Sequence, residues 1–201
     1  MAFFPILIEM EGLPVLIAGG GAIAAHKAEL LRGYGADITV VAPEICDGIR
    51  SLGVRMQERQ VKQEDCPGAA LIVDATGSEE AGAILKGYCS EHHVPYNCAW
   101  RGDDASAIFP AILQRGRTTI AVSTRGASPA ACAWIRDSLC ESVPECMDEI
   151  LERMSELRVL AKDRIPSQKE RSAFLHRCLS KMLSEKRAVS DEEALELMRT
   201  E

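Results

Sequence analysis

The run Val15-Leu16-Ile17-Ala18 ends in Gly19-Gly20-Gly21 and passes at once into Ala22-Ile23-Ala24, and no other feature restricts the folding of this chain so tightly. An apolar strand that turns on Gly19-x-Gly21-x-x-Ala24 into a helix leaves bare backbone N–H groups at the positive end of the helix dipole. That arrangement receives the pyrophosphate of a dinucleotide. Gly19, Gly20, Gly21, Ala22 and Ile23 are therefore the candidate cofactor cradle. Roughly twenty residues on, Thr39-Val40-Val41-Ala42-Pro43-Glu44 places an acidic residue where a ribose is read. Glu44 can accept hydrogen bonds from ribose hydroxyls and repels a 2′-phosphate, so the expected cofactor is NAD rather than NADP; a solvated surface glutamate is the alternative reading.

Residues 14–18 and 37–42 read as continuous apolar strands of the kind buried on both faces of a parallel sheet, with a helix from about Ala22 to Tyr34 between them. Ala69 to Ala75 reads as a third strand, Glu79 to His92 as a helix, and Val94 to Ala99 as a fourth strand. The pattern predicts an α/β fold, a Rossmann-type doubly wound parallel sheet. Thr76, Gly77 and Asn97 end two of these strands, where open α/β sheets bind ligands, which makes Thr76 and Asn97 candidates for the nicotinamide side of a crevice. Both side chains can equally hold loop backbone. Beyond residue 100 the character changes. Apolar residues 107–113 and the β-branched stretch 118–124 flank the turn Arg115-Gly116-Arg117, as in a hairpin, and Ser128-Pro129 caps and opens a helix. Met147, Ile150, Met154, Leu157 and Ala161 form an amphipathic seam that Ile165-Pro166-Ser167 ends, a second helix runs from about Lys169 to Ser184, and Ser190-Asp191-Glu192-Glu193 starts a last one.

With 201 residues, 47% of them apolar, the chain can bury a substantial core. Its first residues are apolar but carry no basic n-region and reach Glu9 and Glu11 too soon for a signal peptide, and no apolar run approaches the about eighteen residues of a membrane span. The eight cysteines then read as reduced thiols of a cytoplasmic protein, and without Cys-x-x-Cys or His-x-x-x-His spacing no metal site is expected. A net charge of −7 argues against general nucleic-acid affinity. Nine Lys/Arg against three acids between Arg158 and Arg187 form a local basic stretch, either a meeting place for a polyanionic small molecule or a solvated helix face.

Phe4-Pro5-Ile6, the glycine strand, Thr39-Val40-Val41-Ala42-Pro43, Ala75-Thr76, Val94-Pro95-x-Asn97, Ile108-Phe109-Pro110-Ala111, and Ile120-Ala121-Val122-Ser123-Thr124 with Gly126-Ala127-Ser128-Pro129 stand in an order that resembles the siroheme-synthase N-terminal family, the precorrin-2 dehydrogenases and sirohydrochlorin ferrochelatases. The likeness runs from about residue 3 to 185, and its second half is not shared by generic dinucleotide-binding domains. It implies NAD-dependent oxidation of precorrin-2 to sirohydrochlorin, with ferrous iron as a further substrate where siroheme is made. It also implies a homodimer: an NAD-binding domain over 1–112, a dimerisation segment over 113–144 exchanged between protomers, and a helical C-terminal domain over 145–201.

The chain departs from the family at one position. Members usually carry an aspartate three residues after the asparagine of the fourth strand, the favoured acid/base; here that residue is Trp100, and the spacing to Ile108-Phe109-Pro110 is unchanged. Tryptophan neither takes nor gives the protons that the chemistry moves. Asp103 and Asp104 in the same loop are the candidate catalytic carboxylates, against the plainer reading of an acidic loop tip. Trp100 itself can stack on a flat tetrapyrrole. Arg101, Arg115, Arg117 and Arg125 can pair with the macrocycle's carboxylates, and Ser128 matches the family's serine near the substrate while also serving as a helix cap. Two alternatives stand beside the enzyme: a tetrapyrrole- or dinucleotide-binding protein of the same fold that lacks dehydrogenation, and a generic NAD-dependent reductase.

Overall fold

The computed structural model describes residues 3–199, apart from the side chain of Asp103. The chain divides into two compact units, one ending at Phe109 and the other beginning at Pro110.

In the first unit, β1 (Pro14–Ala18), β2 (Asp37–Ala42), β3 (Arg55–Glu58), β4 (Leu71–Asp74) and β5 (Tyr96–Cys98) form one parallel sheet in the order β3-β2-β1-β4-β5. The chain winds outward from β1 in one direction and from β4 in the other, so a crevice opens at the carboxyl ends of these two neighbours. Alternation along the strands feeds two cores. Val15, Ile17, Val40 and Val73 pack on one face with Ala24, Ala28 and Leu31 of α1 (Ala22–Arg32). Leu16, Ala18, Val41 and Ile72 pack on the other with Leu85 and Cys89 of α3 (Glu79–His92). Small residues at Ala24 and Ala28 let α1 ride close to the sheet, which brings its N-terminus over the crevice.

Two elements have no apolar signature. The four-residue α2 (Asp47–Arg50) and the edge strand β3 follow β2, and every β3 residue is exposed. That strand is held by its ladder to β2, with Arg55 paired to Asp37 at 2.7 Å and Arg50 to Glu58 at 2.7 Å, and its charges suit an edge that must not recruit further strands.

In the second unit, β6 (Ala111–Arg115) and β7 (Thr118–Val122) form the expected antiparallel hairpin. The first strand begins later than its apolar run, because Ser106 and Ala107 donate back to Tyr96 O, both at 2.9 Å, and spend residues 105–107 closing a loop on β5. Helix α4 (Pro129–Ser142) starts as its sequence predicts, with Ser128 Oγ accepting from Ala131 N at 3.1 Å. A helical core follows from α5 (Met147–Arg164), α6 (Gln168–Glu185) and α7 (Asp191–Arg199). Ile150, Leu157 and Ala161 of the α5 seam meet Phe174, Cys178 and Met182 of α6 and Ala194 of α7. Complete burial of Phe174 alone is worth about 1.5–3 kcal/mol. The last helix has a reciprocal capping box: Glu193 N donates to Ser190 Oγ at 3.2 Å and Ser190 N to Glu193 Oε2 at 2.8 Å. Arg187 and Lys181 converge on Glu193, and the Arg187 hydrogen bond above all holds that carboxyl far below its usual range. With Arg171 donating to Ile165 O and Pro166 O and Arg177 to Leu197 O, several cations of the basic stretch are engaged within the helical core.

Burial pushes the Cys66 thiol up to about 11 and the Cys89 thiol up to about 12. Neither ionises near neutrality, and Cys98 and Cys178 are buried as well. These four should resist a disulfide reagent at pH 8 until the chain unfolds, while Cys46, Cys132, Cys140 and Cys146 react first; mass mapping of the modified thiols checks this. An unfolded thiol ionises near pH ~8.5. The native state then holds more protons than the unfolded one, so the thiol contribution is intact below that unfolded value and is lost as pH rises through about 11 to 12.

Candidate nucleotide-binding site

The glycine turn sits where three backbone segments meet. Gly19 has φ +112°, and a Cβ there would collide with Ala75 O and lie 3.1 Å from Thr76 N, in the loop after β4. A Cβ on Gly20 would collide with Glu44 O, in the loop after β2. Hydrogen bonds fix these approaches: Gly19 N to Val41 O at 3.0 Å, Cys46 N to Gly20 O at 2.9 Å, and Ala75 N to Ala18 O at 2.7 Å. Gly21 is different, since nothing lies within 4 Å of a Cβ built on it. It is the N-cap of α1, it offers no capping side chain, and the first turn carries no acidic residue. The first-turn amides of Ala22 and Ile23 therefore face an uncluttered edge and retain their capacity for an anion. A dinucleotide diphosphate fits this donor set.

Pro43 and Glu44 are exposed beside that turn. Thr76 lies on its other side, with N and Oγ1 donating to Asp74 Oδ1 at 2.9 and 2.7 Å while Oγ1 accepts from Ser78 N at 3.1 Å. In β5, Asn97 Nδ2 donates to Ala107 O at 2.9 Å, and Asn97 Oδ1 is buried without a partner among the described residues. A buried acceptor left unpaired costs free energy and fits a site completed by a donor from a bound group. The cradle residues, Pro43, Glu44, Thr76 and Asn97 thus share the carboxyl edge of one sheet.

Trp100 is half-buried, and its surroundings are specific. Its Nε1 donates to Asp74 Oδ2 at 3.0 Å, its Cζ2 lies 3.3 Å from where a Cβ on Gly82 would stand, and the Arg101 guanidinium sits 5.4 Å from the centre of its ring. Arg101 also reaches Glu79 at 3.3 Å and Asp104 at 3.8 Å. Asp104 is paired with Lys86 of α3 at 2.6 Å, a contact that lowers its pKa. Such a carboxylate keeps its charge more readily than it accepts a proton. The side chain of Asp103 lies outside the described residues.

The remaining arginines and Ser128 belong to the second unit. Arg115 donates to Val143 O and, at 3.2 Å, to Cys140 Sγ, so it braces the end of α4. Arg117 N donates to Asp148 Oδ1 at 2.8 Å. Arg125 adopts φ +54° in an exposed turn, with its N donating to Ser123 Oγ at 3.1 Å. Ser128, besides capping α4, donates from its N to Thr124 Oγ1 at 3.1 Å. Among the described residues no group of three or more His, Cys, Asp or Glu side chains is placed to hold a metal ion, and no helix is long and apolar enough to cross a membrane.

Sequence reading missed Asp74 and Tyr96. An aspartate at the carboxyl end of the otherwise apolar Leu71-Ile72-Val73-Asp74 is the signal that could have found them, since a charge in a doubly covered strand requires partners.

A family model described as "Putative NAD(P)-binding" matches residues 6–111. Siroheme synthase of Pseudomonas paraeruginosa is 33% identical over 178 residues, which cover 87% of this chain and 38% of that protein. Siroheme synthase of Methylococcus capsulatus is 31% identical over 183 residues, covering 89% of this chain and 39% of that protein. The chain thus spans about two fifths of the length of these relatives. Among solved structures, SirC, a precorrin-2 dehydrogenase, superposes with a TM-score of 0.72 at 26% identity over 98% of both chains. With its glycine turn inside the matched segment and siroheme synthases as relatives over most of its length, the chain belongs to the NAD(P)-binding family of the siroheme-synthase N-terminal type.

Proposed function

We propose that this chain is an oxidoreductase that converts precorrin-2 to sirohydrochlorin with NAD as the oxidant. The observation that carries the reading is the turn at Gly19-Gly20-Gly21, closed by backbone on two sides and open at the N-terminus of α1. The relatives named siroheme synthase and precorrin-2 dehydrogenase support the substrate class.

Bound nicotinamide supplies the hydride acceptor, and the substrate loses one further proton. Gly21, Ala22 and Ile23 hold the diphosphate through amide donors, and Glu44, exposed next to Pro43, accepts from the ribose and disfavours a 2′-phosphate. Thr76 and Asn97 flank the nicotinamide end, where the unpaired Asn97 Oδ1 can take a carboxamide N–H. The outgoing proton is assigned to the loop carboxylates. Lys86 occupies Asp104, which makes Asp103 the first of the two to test. Trp100, Arg101, Arg115, Arg117, Arg125 and Ser128 are the proposed contacts for the carboxylated macrocycle. Insertion of ferrous iron into the product is the further step that the family resemblance brings to the proposal.

The same reading includes a homodimer. The hairpin and α4 contain no buried residue, and Trp134 of α4 is 71% exposed, as expected of a layer completed by a second copy. The segment 113–144 is accordingly the proposed dimerisation segment, between an NAD-binding domain over 1–112 and a helical domain over 145–201. Light scattering should give twice the chain mass, and Trp134→Glu should shift it toward the monomer.

A second reading, a tetrapyrrole- or dinucleotide-binding protein without redox activity, is favoured by one observation: the indole at position 100 is hydrogen-bonded to Asp74 where the family carries its acid/base. Purified protein supplied with precorrin-2 and NAD separates the two. Growth of NADH absorbance, depressed by Asp103→Ala, supports the enzyme; no absorbance change with tight sirohydrochlorin binding supports the second reading. Sirohydrochlorin supplied with ferrous iron tests insertion in the same way.

Gly20→Ala forces a methyl group into the Glu44 carbonyl, so it should cost about 1–3 kcal/mol of stability and raise the NADH dissociation constant. Gly21→Ala meets no protein atom and should be milder in the melt, while still crowding the ligand. Thermal melts alongside NADH fluorescence titrations test both.

A further inference from the structure

Asp74 is fully buried at the carboxyl end of β4. Its carboxylate accepts four hydrogen bonds: Thr76 N at 2.9 Å and Thr76 Oγ1 at 2.7 Å on Oδ1, Tyr96 OH at 2.8 Å and Trp100 Nε1 at 3.0 Å on Oδ2. Gly82 of α3 leaves the room this requires, because a Cβ there would stand 3.1 Å from Asp74 Oδ2 and 3.3 Å from Trp100 Cζ2. Burial, and after it the Asp74 hydrogen bond, pushes the Tyr96 phenol well above its ordinary range, so Tyr96 remains a donor. A buried charge is kept only where it is fully paired, and this one is paired to two different loops. Through Oδ1 it grips Thr76, whose backbone passes within 3.1 Å of the Cβ position of Gly19 and so forms one wall of the cradle. Through Oδ2 it grips the indole at residue 100.

We propose that Asp74 is the positioning residue of this site, one buried carboxylate whose first oxygen sets the cofactor wall at Thr76 and whose second sets the substrate-side plate at Trp100. Asp74 itself does not meet the reactants, because its four acceptor positions are taken. The proposal rests on the reading of the crevice as a nicotinamide and tetrapyrrole site. It predicts a division that a merely stabilising network would not produce.

Asp74→Asn keeps shape but presents one oxygen, and its amide N–H groups must then face either the Thr76 donors or the Tyr96 and Trp100 donors. In a Trp134→Phe background, where Trp100 is the sole tryptophan, Asp74→Asn with its amide turned toward the Thr76 donors should weaken NADH binding about tenfold, the scale of one lost charge-assisted hydrogen bond. With the amide turned toward the Tyr96 and Trp100 donors instead, the same variant raises iodide quenching of Trp100, so at least one of the two changes is expected. Thr76→Val removes only the Oγ1 donor, so it should weaken NADH binding and leave Trp100 quenching unchanged. Trp100→Phe should weaken sirohydrochlorin binding and leave NADH binding unchanged. Equal effects of Thr76→Val and Trp100→Phe on both ligands, or an Asp74→Asn protein with a lower melting temperature but unaltered NADH binding and Trp100 quenching, overturn the proposal. Should Asp74→Asn fail to fold, the split between the other two variants decides. If the unsubstituted protein binds no NADH at all, the cofactor reading fails, and a Trp100 quenching change in Asp74→Asn then reports the geometric half alone.

Discussion

The structure of the first unit depends on the closeness with which three backbone segments approach one another at the end of β1. Gly19 lies against the loop after β4 and Gly20 against the loop after β2, at distances that admit no side chain. This contact lets β1 sit centrally with β2 on one side and β4 on the other, and it sends the chain from Ala18 into α1 without a spacer. A side chain at either position would force the neighbouring loop backbone to shift, so these glycines serve the close approach of the three segments as much as ligand chemistry. Gly21, by contrast, is unconstrained by protein and is legible only through what it leaves open.

Asp74 plays the complementary part on the other side of the crevice. A parallel sheet covered on both faces is normally apolar along its strands, and a carboxylate in β4 opposes that rule at a cost of several kcal/mol unless every acceptor position is filled. Four donors fill them, and they come from the strand's own loop, from β5, and from the residue that follows β5 by two positions. The network ties together segments whose backbones are joined by the short β4–β5 ladder and by Ala99 N donating to Asp74 O at 2.8 Å. Its demand for space explains Gly82 in the first turn of α3, where propensity alone would favour alanine.

Much of this was legible in the sequence because burial writes itself as hydrophobic period. β1, β2, α1 and α3 are continuous or amphipathic runs, and the α5 seam at Ile150, Leu157 and Ala161 is the helical period made visible. Strand β3 escaped notice for the opposite reason: Arg55-Met56-Gln57-Glu58 is exposed throughout and is a strand only because β2 offers it a ladder. The hairpin start was displaced because Ala107 carries an apolar side chain but spends its backbone on Tyr96. At the candidate site, the residues the sequence offered were those that carry a motif, and Trp100 stood out by its departure from a family pattern. What it touches was not readable, because Asp74 lies 26 positions earlier and carries no spacing rule that links the two.

The same logic separates the kinds of arginine in this chain. Arg153 and Arg187 reach α7 and its cap, with Arg153 donating to Val189 O at 3.0 Å and pairing with Asp191 at 2.5 Å, so their charge stabilises helix packing. Arg115 likewise donates to the carbonyl that follows α4. A guanidinium whose donors are spent on backbone carbonyls offers less to a carboxylated ligand than one in an open turn. Of the two proposed macrocycle contacts, Arg125 is therefore the one with the freer guanidinium: it is exposed, holds a left-handed backbone, and among the described residues has its backbone N–H engaged by Ser123. Holding φ at +54° costs a non-glycine residue of order 1–3 kcal/mol. On the proposed reading, the exposed Arg125 guanidinium is the group that would pair with a carboxylate of the macrocycle.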